Sequence, residues 1–231
     1  YVKFVKILKQ EFGKPVVASI SGMTLEDNVV MFKAFNKTNV DLIEFNPGSP
    51  NTIGKPIINY DFEEMDRLLS AISKVCEKPW GVKLCPYFDF VHFATAAEIL
   101  NKYPIKFITC INSIGNGLVI DPKTEKPLIK PKGGFGGIGG KVIKYTTLAN
   151  VRKFYELLDN RIQIVAVGGV YSGVDAFEMI LAGASAIQLG TVYMQEGPKC
   201  FPRIQKELAD YMSKKGYKNI EDFRGKLKPI E

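Results

Sequence analysis

The chain has 231 residues, of which 46% are hydrophobic and 24% charged, and a formal net charge of +7. That length suits one large domain or two small ones, and its apolar runs fall far short of the roughly 18–20 residues that cross a bilayer. The lysines are spread over helix faces, with short clusters only at 126–132 and 214–228, which fits an anionic small molecule better than a nucleic-acid surface.

The first stretch, 1–12, carries Lys3, Lys6 and Lys9 among apolar residues and predicts an amphipathic helix rather than a signal peptide. It has no initiator Met, so the expectation is a start inside a longer chain. A β-branched run predicts a strand over 16–20. Thr24 with Asp27 three residues on resembles a capping box that opens a helix to about residue 38. A strand over 41–46 ends in Pro47-Gly48-Ser49-Pro50-Asn51, a composition that breaks strand and helix alike. Met65, Leu68, Leu69 and Ile72 mark a helix over 62–76. Strand 81–84, helix 91–100 and strand 106–111 follow. Residues 118–145 read as a long insertion whose glycines, Gly133 to Gly140, suit a loop that bends sharply or approaches a ligand. Helix 146–158, strand 163–167, helix 173–182, strand 185–189 and a basic helix over 202–215 complete the chain.

Regular alternation of strand and helix implies parallel strands with right-handed crossovers. Six strands leave two architectures open, an open α/β sheet or most of an eight-stranded TIM barrel lacking two leading units. In either, ligands bind beyond the strands' C-terminal ends. Those ends carry Asn46 and Ser49, Lys83, Asn112 and Ser113, Gly168-Gly169, and Gly190-Thr191. A surface turn uses the same residue types as the loop at 47–51, but the arrangement recurs along the chain. Glycines at the ends of the last two strands leave backbone N–H groups for a phosphate. Lys83, inside an apolar strand, either snorkels or holds an anion, and the anion reading is favoured because parallel strands are covered on both faces. His92, the sole histidine, reads as packing, so a Ser–His or Cys–His triad is disfavoured. Cys76, Cys85, Cys110 and Cys200 lack CxxC spacing, which predicts reduced thiols, no zinc and a cytosolic home.

Several segments together carry a resemblance: Asn46–Asn51 with Gly54-Lys55-Pro56, Gly81–Leu84 with Pro86–Asp89, Ile111–Gly117, Gly134–Gly140, Leu148–Val151 and Gly168–Val170. They resemble dihydroorotate dehydrogenase, specifically its soluble, fumarate-using class 1A branch, over nearly the whole chain. The resemblance implies a TIM (β/α)8 barrel with about six of the eight units in this chain, forming a single domain over 1–231. It implies FMN as cofactor, dihydroorotate oxidised to orotate in pyrimidine biosynthesis, fumarate as acceptor, and a cytoplasmic homodimer without nucleic acid or membrane. Asn46, Asn51, Asn112 and Ser113 match substrate-binding positions. Lys83 matches the lysine beside the flavin ring. Ile111, Gly137, Gly168, Gly169, Gly190 and Thr191 match the cofactor side.

Two departures stand out. The branch's loop reads Asn-Leu-Ser-Cys-Pro-Asn with Cys as base, whereas here Pro47, Gly48 and Ser49 replace the middle three, so Ser49 stands at the base position. Class 2 enzymes use Ser there, but a hydroxyl is a far weaker acid than a thiol with a pKa of about 8.5. The family's first two βα units, with a second flavin-side lysine and a further asparagine loop, have no counterpart before Tyr1. Both departures keep a second reading in play, a non-catalytic or impaired homologue that binds flavin, ligand or a partner as a scaffold. A third, another phosphate-binding barrel enzyme, would leave the asparagine loops to coincidence.

Overall fold

A computed structural model describes residues 2–54 and 56–230. Tyr1 and Lys55, named above, lie outside them. Six parallel strands, β1 (Val17–Ile20), β2 (Leu42–Phe45), β3 (Trp80–Leu84), β4 (Phe107–Cys110), β9 (Gln163–Val167) and β10 (Ala186–Gln188), pair in that order. The intervening strands form two short antiparallel ladders. One joins β5 (Ile114–Leu118) to β8 (Phe135–Ile138), the other β6 (Ile120–Asp121) to β7 (Lys126–Pro127). The helices are α1 (Val2–Phe12), α2 (Leu25–Asn36), α3 (Phe62–Ser73), α4 (Phe90–Asn101), α5 (Lys144–Leu157), α6 (Gly173–Ala182), α7 (Thr191–Glu196) and α8 (Cys200–Lys214).

Four helices, α2, α3, α4 and α6, begin where the sequence supplies an acceptor for orphan N–H groups. Thr24 and Asp27 form a capping box on α2, as do Ser172 and Asp175 on α6, while Asp61 and Asp89 cap α3 and α4. Ile43, Val82, Leu84, Ile108 and Ile164 are buried, and Met65, Leu69, Ile72, Leu100 and Phe154 from the helices close over the sheet. Burial of that kind stabilises by roughly 25 cal/mol per Å² of apolar surface.

The sheet is curled into a partial barrel, which resolves the choice left open by the strand count. Ser19 on β1 and Gln188 on β10, at opposite edges of the strand order, both donate to the carboxylate of Glu44 on β2, at 2.7 and 3.4 Å. A flat sheet of six strands at about 4.8 Å spacing could not bring its edges to one side chain. The edges do not pair with each other, and Val17 on β1 is exposed. Phe4 and Leu8 of α1 line an apolar groove beside that edge.

Three expectations change. The insertion is not a loop but a hairpin arm, because the glycines let Ile138 lie across Gly117 where a Cβ would collide with it. A helix not foreseen, α7, has six residues, too few to show periodicity. His92 packs not in the core but at the surface, its ring centroid 5.6 Å from that of Phe62. It sits exposed at the start of α4, where its ring contacts the Asp89 carboxylate and its N–H donates to the same cap.

Candidate ligand-binding site

The C-terminal ends of β3, β4, β9 and β10 converge on one open cavity. Lys83 and Gln188 form part of its lining, with Ile111, Asn112 and Ser113 on one side and Gly168, Gly169, Gly190 and Thr191 on another. Gly139 and Gly140 reach it from the arm, and Gly140 approaches Thr191 and the Tyr171 hydroxyl.

The glycine loops are built for close approach. Gly168 and Gly169 have φ of 125° and 79°, and a Cβ on Gly169 would fall 2.5 Å from the Lys144 Cα. Gly190 faces open space. No described residue accepts a hydrogen bond from the N–H groups of Gly168, Gly169 or Gly190. The first turn of α6 is different. Asp175 Oδ2 accepts from the N–H groups of Tyr171 and Ser172, each at 2.9 Å, so that helix end is closed by its own carboxylate. An anion is left with the glycine amides and the start of α7. Lys144 ties Asp175 to Glu178, at 2.5 Å from each carboxylate, and so fixes the loop against α5. Burial pushes the Asp175 carboxyl up, but Lys144 and the N–H of Tyr171 outweigh it and hold it below the usual range.

The asparagine loops meet as well. Asn112 Nδ2 donates to Asn46 Oδ1 at 2.8 Å and to the Gly48 carbonyl at 3.2 Å. Asn51 Oδ1 accepts from the Gly137 N–H at 3.0 Å, and Ser113 packs against the same glycine. Lys132 Nζ adds a bond to the Pro50 carbonyl at 2.8 Å. The arm is thereby fastened over the loop that carries Ser49. Asn46, Ser49, Asn51 and Gly137 do not line the cavity; Gly137 fastens the loop through Asn51, and Gly139 and Gly140 supply the backbone that faces the cavity.

Ser49 is half-buried and makes no hydrogen bond with another described residue. Beneath it, a Cβ at Gly48 would collide with Asn59 Oδ1 and lie 2.8 Å from Cys85 Sγ. The Cys85 thiol donates to the Gly48 carbonyl at 2.7 Å, and burial pushes its pKa up to about 12. Asn59, fully buried, takes the Cys85 N–H on its side chain and the Tyr87 hydroxyl on its carbonyl. Asn150 clasps the Tyr87 backbone from both sides.

Glu44, Asn59 and Gln188 escape a reading of the sequence for the site. Glu44 carried a signal, since it interrupts an apolar parallel strand as Lys83 does. It is 2% exposed, with Ser19 and Thr109 hydroxyls donating to it at 2.7 Å and Lys83 Nζ 3.9 Å away. Among the described residues, no group of three His, Cys, Asp or Glu could hold a metal, and no helix is long and apolar enough to cross a membrane. The four thiols are free.

A curled parallel sheet with amide-rich and glycine-rich loops beyond its strand ends defines an α/β-barrel protein with a cavity at that mouth. The family model for dihydroorotate dehydrogenase matches residues 2–212. The chain is 48% identical over 235 aligned positions to a dihydroorotate dehydrogenase (fumarate) of Trypanosoma cruzi, covering all of this chain and 74% of that protein. It is 50% identical over 217 positions to a dihydroorotate dehydrogenase (fumarate) of Kluyveromyces lactis, covering 94% of this chain and 69% of the other. A dihydroorotate dehydrogenase A (fumarate) of Lactococcus lactis subsp. cremoris is also 50% identical, with 94% and 70% covered. The chain belongs to the dihydroorotate dehydrogenase family.

Proposed function

We propose that this chain is an oxidoreductase that binds FMN in the cavity and oxidises dihydroorotate to orotate in de novo pyrimidine biosynthesis, with fumarate as the final acceptor. The relatives' names support the substrate pair and the acceptor. The observation that carries the reading is the 2.8 Å bond from Asn112 to Asn46 at a mouth that Lys83 and the glycine loops also line or flank.

The residues fit the cofactor. Open space at Gly190 and the unclaimed N–H groups of Gly168 and Gly169 suit a phosphate, with Thr191 at the start of α7 beside them. Lys83 presents a cation at the cavity floor, where it would stabilise negative charge on a reduced flavin ring. Ile111 supplies an apolar wall for the ring. When bound, FMN supplies the hydride acceptor. The chain's own part is to hold and orient the substrate: Asn46, Asn51, Asn112 and Ser113 offer amide and hydroxyl groups to the pyrimidine carbonyls, ring N–H groups and carboxylate. Ser49 takes the C5 proton on its Oγ, passing its own hydroxyl proton onward, which calls for a relay or a high pH. The chain works as one barrel domain over 1–231, in the cytoplasm, as a homodimer; exposed Leu118, Val119, Ile120, Leu128 and Ile129 on the arm favour self-association.

One observation favours the second reading, a scaffold that binds flavin without turnover. Ser49 has no described acceptor to draw its proton away. Anaerobic addition of dihydroorotate to the FMN-loaded chain separates the two. Bleaching of the flavin band supports the dehydrogenase, whereas bound flavin that stays oxidised supports the scaffold.

A further inference from the structure

From the buried contacts of Glu44 we infer that this residue, which touches neither cavity nor loop, is a positioning residue that sets how much positive charge Lys83 presents to the site. The inference rests on the FMN reading and deepens it. Register places Ser19 beside Glu44 and Lys83 beside Thr109, so the barrel interior collects them in one layer under the cavity floor. Two of the four groups facing the carboxylate, Lys83 and Gln188, line the cavity, while Glu44 does not.

The two carboxylate oxygens are differently engaged. Thr109 and Gln188 share Oε2, at 2.7 and 3.4 Å. Ser19 holds Oε1 at 2.7 Å, and the same oxygen is 3.9 Å from Lys83 Nζ. The Ser19 hydroxyl thus competes with the ammonium for one oxygen. The ammonium is left near its counter-charge but not bonded to it, free to face the cavity. Charges this close, one of them buried, are only weakly screened, so either partner's removal is felt at the floor.

The test equilibrates the FMN-loaded chain with a redox dye and reads the ratio of reduced to oxidised flavin at fixed dye potential. Glu44→Gln uncovers the Lys83 charge and raises that ratio about tenfold, equivalent to about 30 mV for a two-electron couple. Ser19→Ala keeps every charge and lets Lys83 close on Oε1, which lowers the ratio by at least about twofold. In a Lys83→Met background, Glu44→Gln changes the ratio by less than about threefold. Shifts of the same sign in E44Q and S19A, no shift in S19A, or an E44Q effect of full size without Lys83 would overturn the inference. Should E44Q not fold, the S19A result decides. If the wild-type chain takes up no FMN, the cofactor reading itself fails, and thermal melting of the unliganded chain decides the pairing. E44Q/K83M melting above K83M supports a coupled pair, while additive losses refute it.

Discussion

Asn112 Nδ2 lies 2.8 Å from Asn46 Oδ1, and this one bond ties the end of β4 to the end of β2 across the top of β3. The same amide holds the Gly48 carbonyl, so the loop bearing Ser49 is set by a residue more than sixty positions away. Losing these two hydrogen bonds, one buried and one partly buried, costs about 1–3 kcal/mol. Asn112→Ala therefore lowers the melting temperature by about 2–10 °C and weakens orotate binding at least about tenfold, as calorimetry and a thermal melt will show together. Orotate affinity within twofold of wild type would remove Asn112 from the substrate side.

The loop's glycine has its own test. Because a Cβ on Gly48 meets both Asn59 and Cys85, Gly48→Ala destabilises by about 1–3 kcal/mol, and the loss is recovered in part by Asn59→Gly, which opens the space. Denaturant melts of the three variants measure it.

Ser49→Cys replaces the hydroxyl by a group with a pKa of about 8.5. If Ser49 accepts the C5 proton, the pH profile of flavin reduction moves toward neutrality in the variant. A profile that stays in place would point to another proton acceptor.

The Lys144–Asp175 clamp predicts how stability follows pH. Asp175 is held below the ordinary carboxylate range, so its contribution is fully present above about pH 4 and is lost as pH falls through its lowered value. For Lys144, burial pulls the ammonium down, but Asp175 and Glu178 outweigh it and raise it; that contribution is present below about pH 10.4 and lost as pH rises through the raised value. Asp175→Asn should flatten the acid limb of a plot of melting temperature against pH. An unchanged limb would show that other carboxylates set it.

Thiol reactivity follows from burial. Cys85 is buried and pushed up to about 12, Cys110 is raised further, and Cys200 is buried. Only Cys76 is partly exposed. A disulfide reagent at pH 8 should label Cys76 first and leave the others until the chain unfolds. Rapid labelling of Cys85 would show that the Ser49 loop opens.

The parallel strands are legible in the sequence because burial on both faces writes them as short apolar runs, and Lys83 stands out inside one for the same reason. Glu44 obeys the identical logic but sits two residues before Asn46, whose loop carries the stronger signal. The hairpin arm is hidden because its strands are glycine-rich, and glycine reads as a loop until Ile138 is seen lying over Gly117. His92 reads as packing from its apolar neighbours, and its ring does lie against Phe62, but its position three residues after Asp89 also makes it part of a helix cap. The curl of the sheet is invisible to pattern alone. It depends on Ser19 and Gln188 reaching one carboxylate from residues 25 and 144 positions away.

In the proposed function the glycine loops after β9 and β10 hold the phosphate of a flavin at this mouth. Titrating the chain with FMN and, separately, with riboflavin, following flavin fluorescence, tests that placement. Charge-assisted hydrogen bonds to a phosphate are worth about 1.5–3 kcal/mol, so FMN should bind at least about tenfold more tightly than riboflavin. Equal affinity for the two, or binding of neither, would contradict the claim.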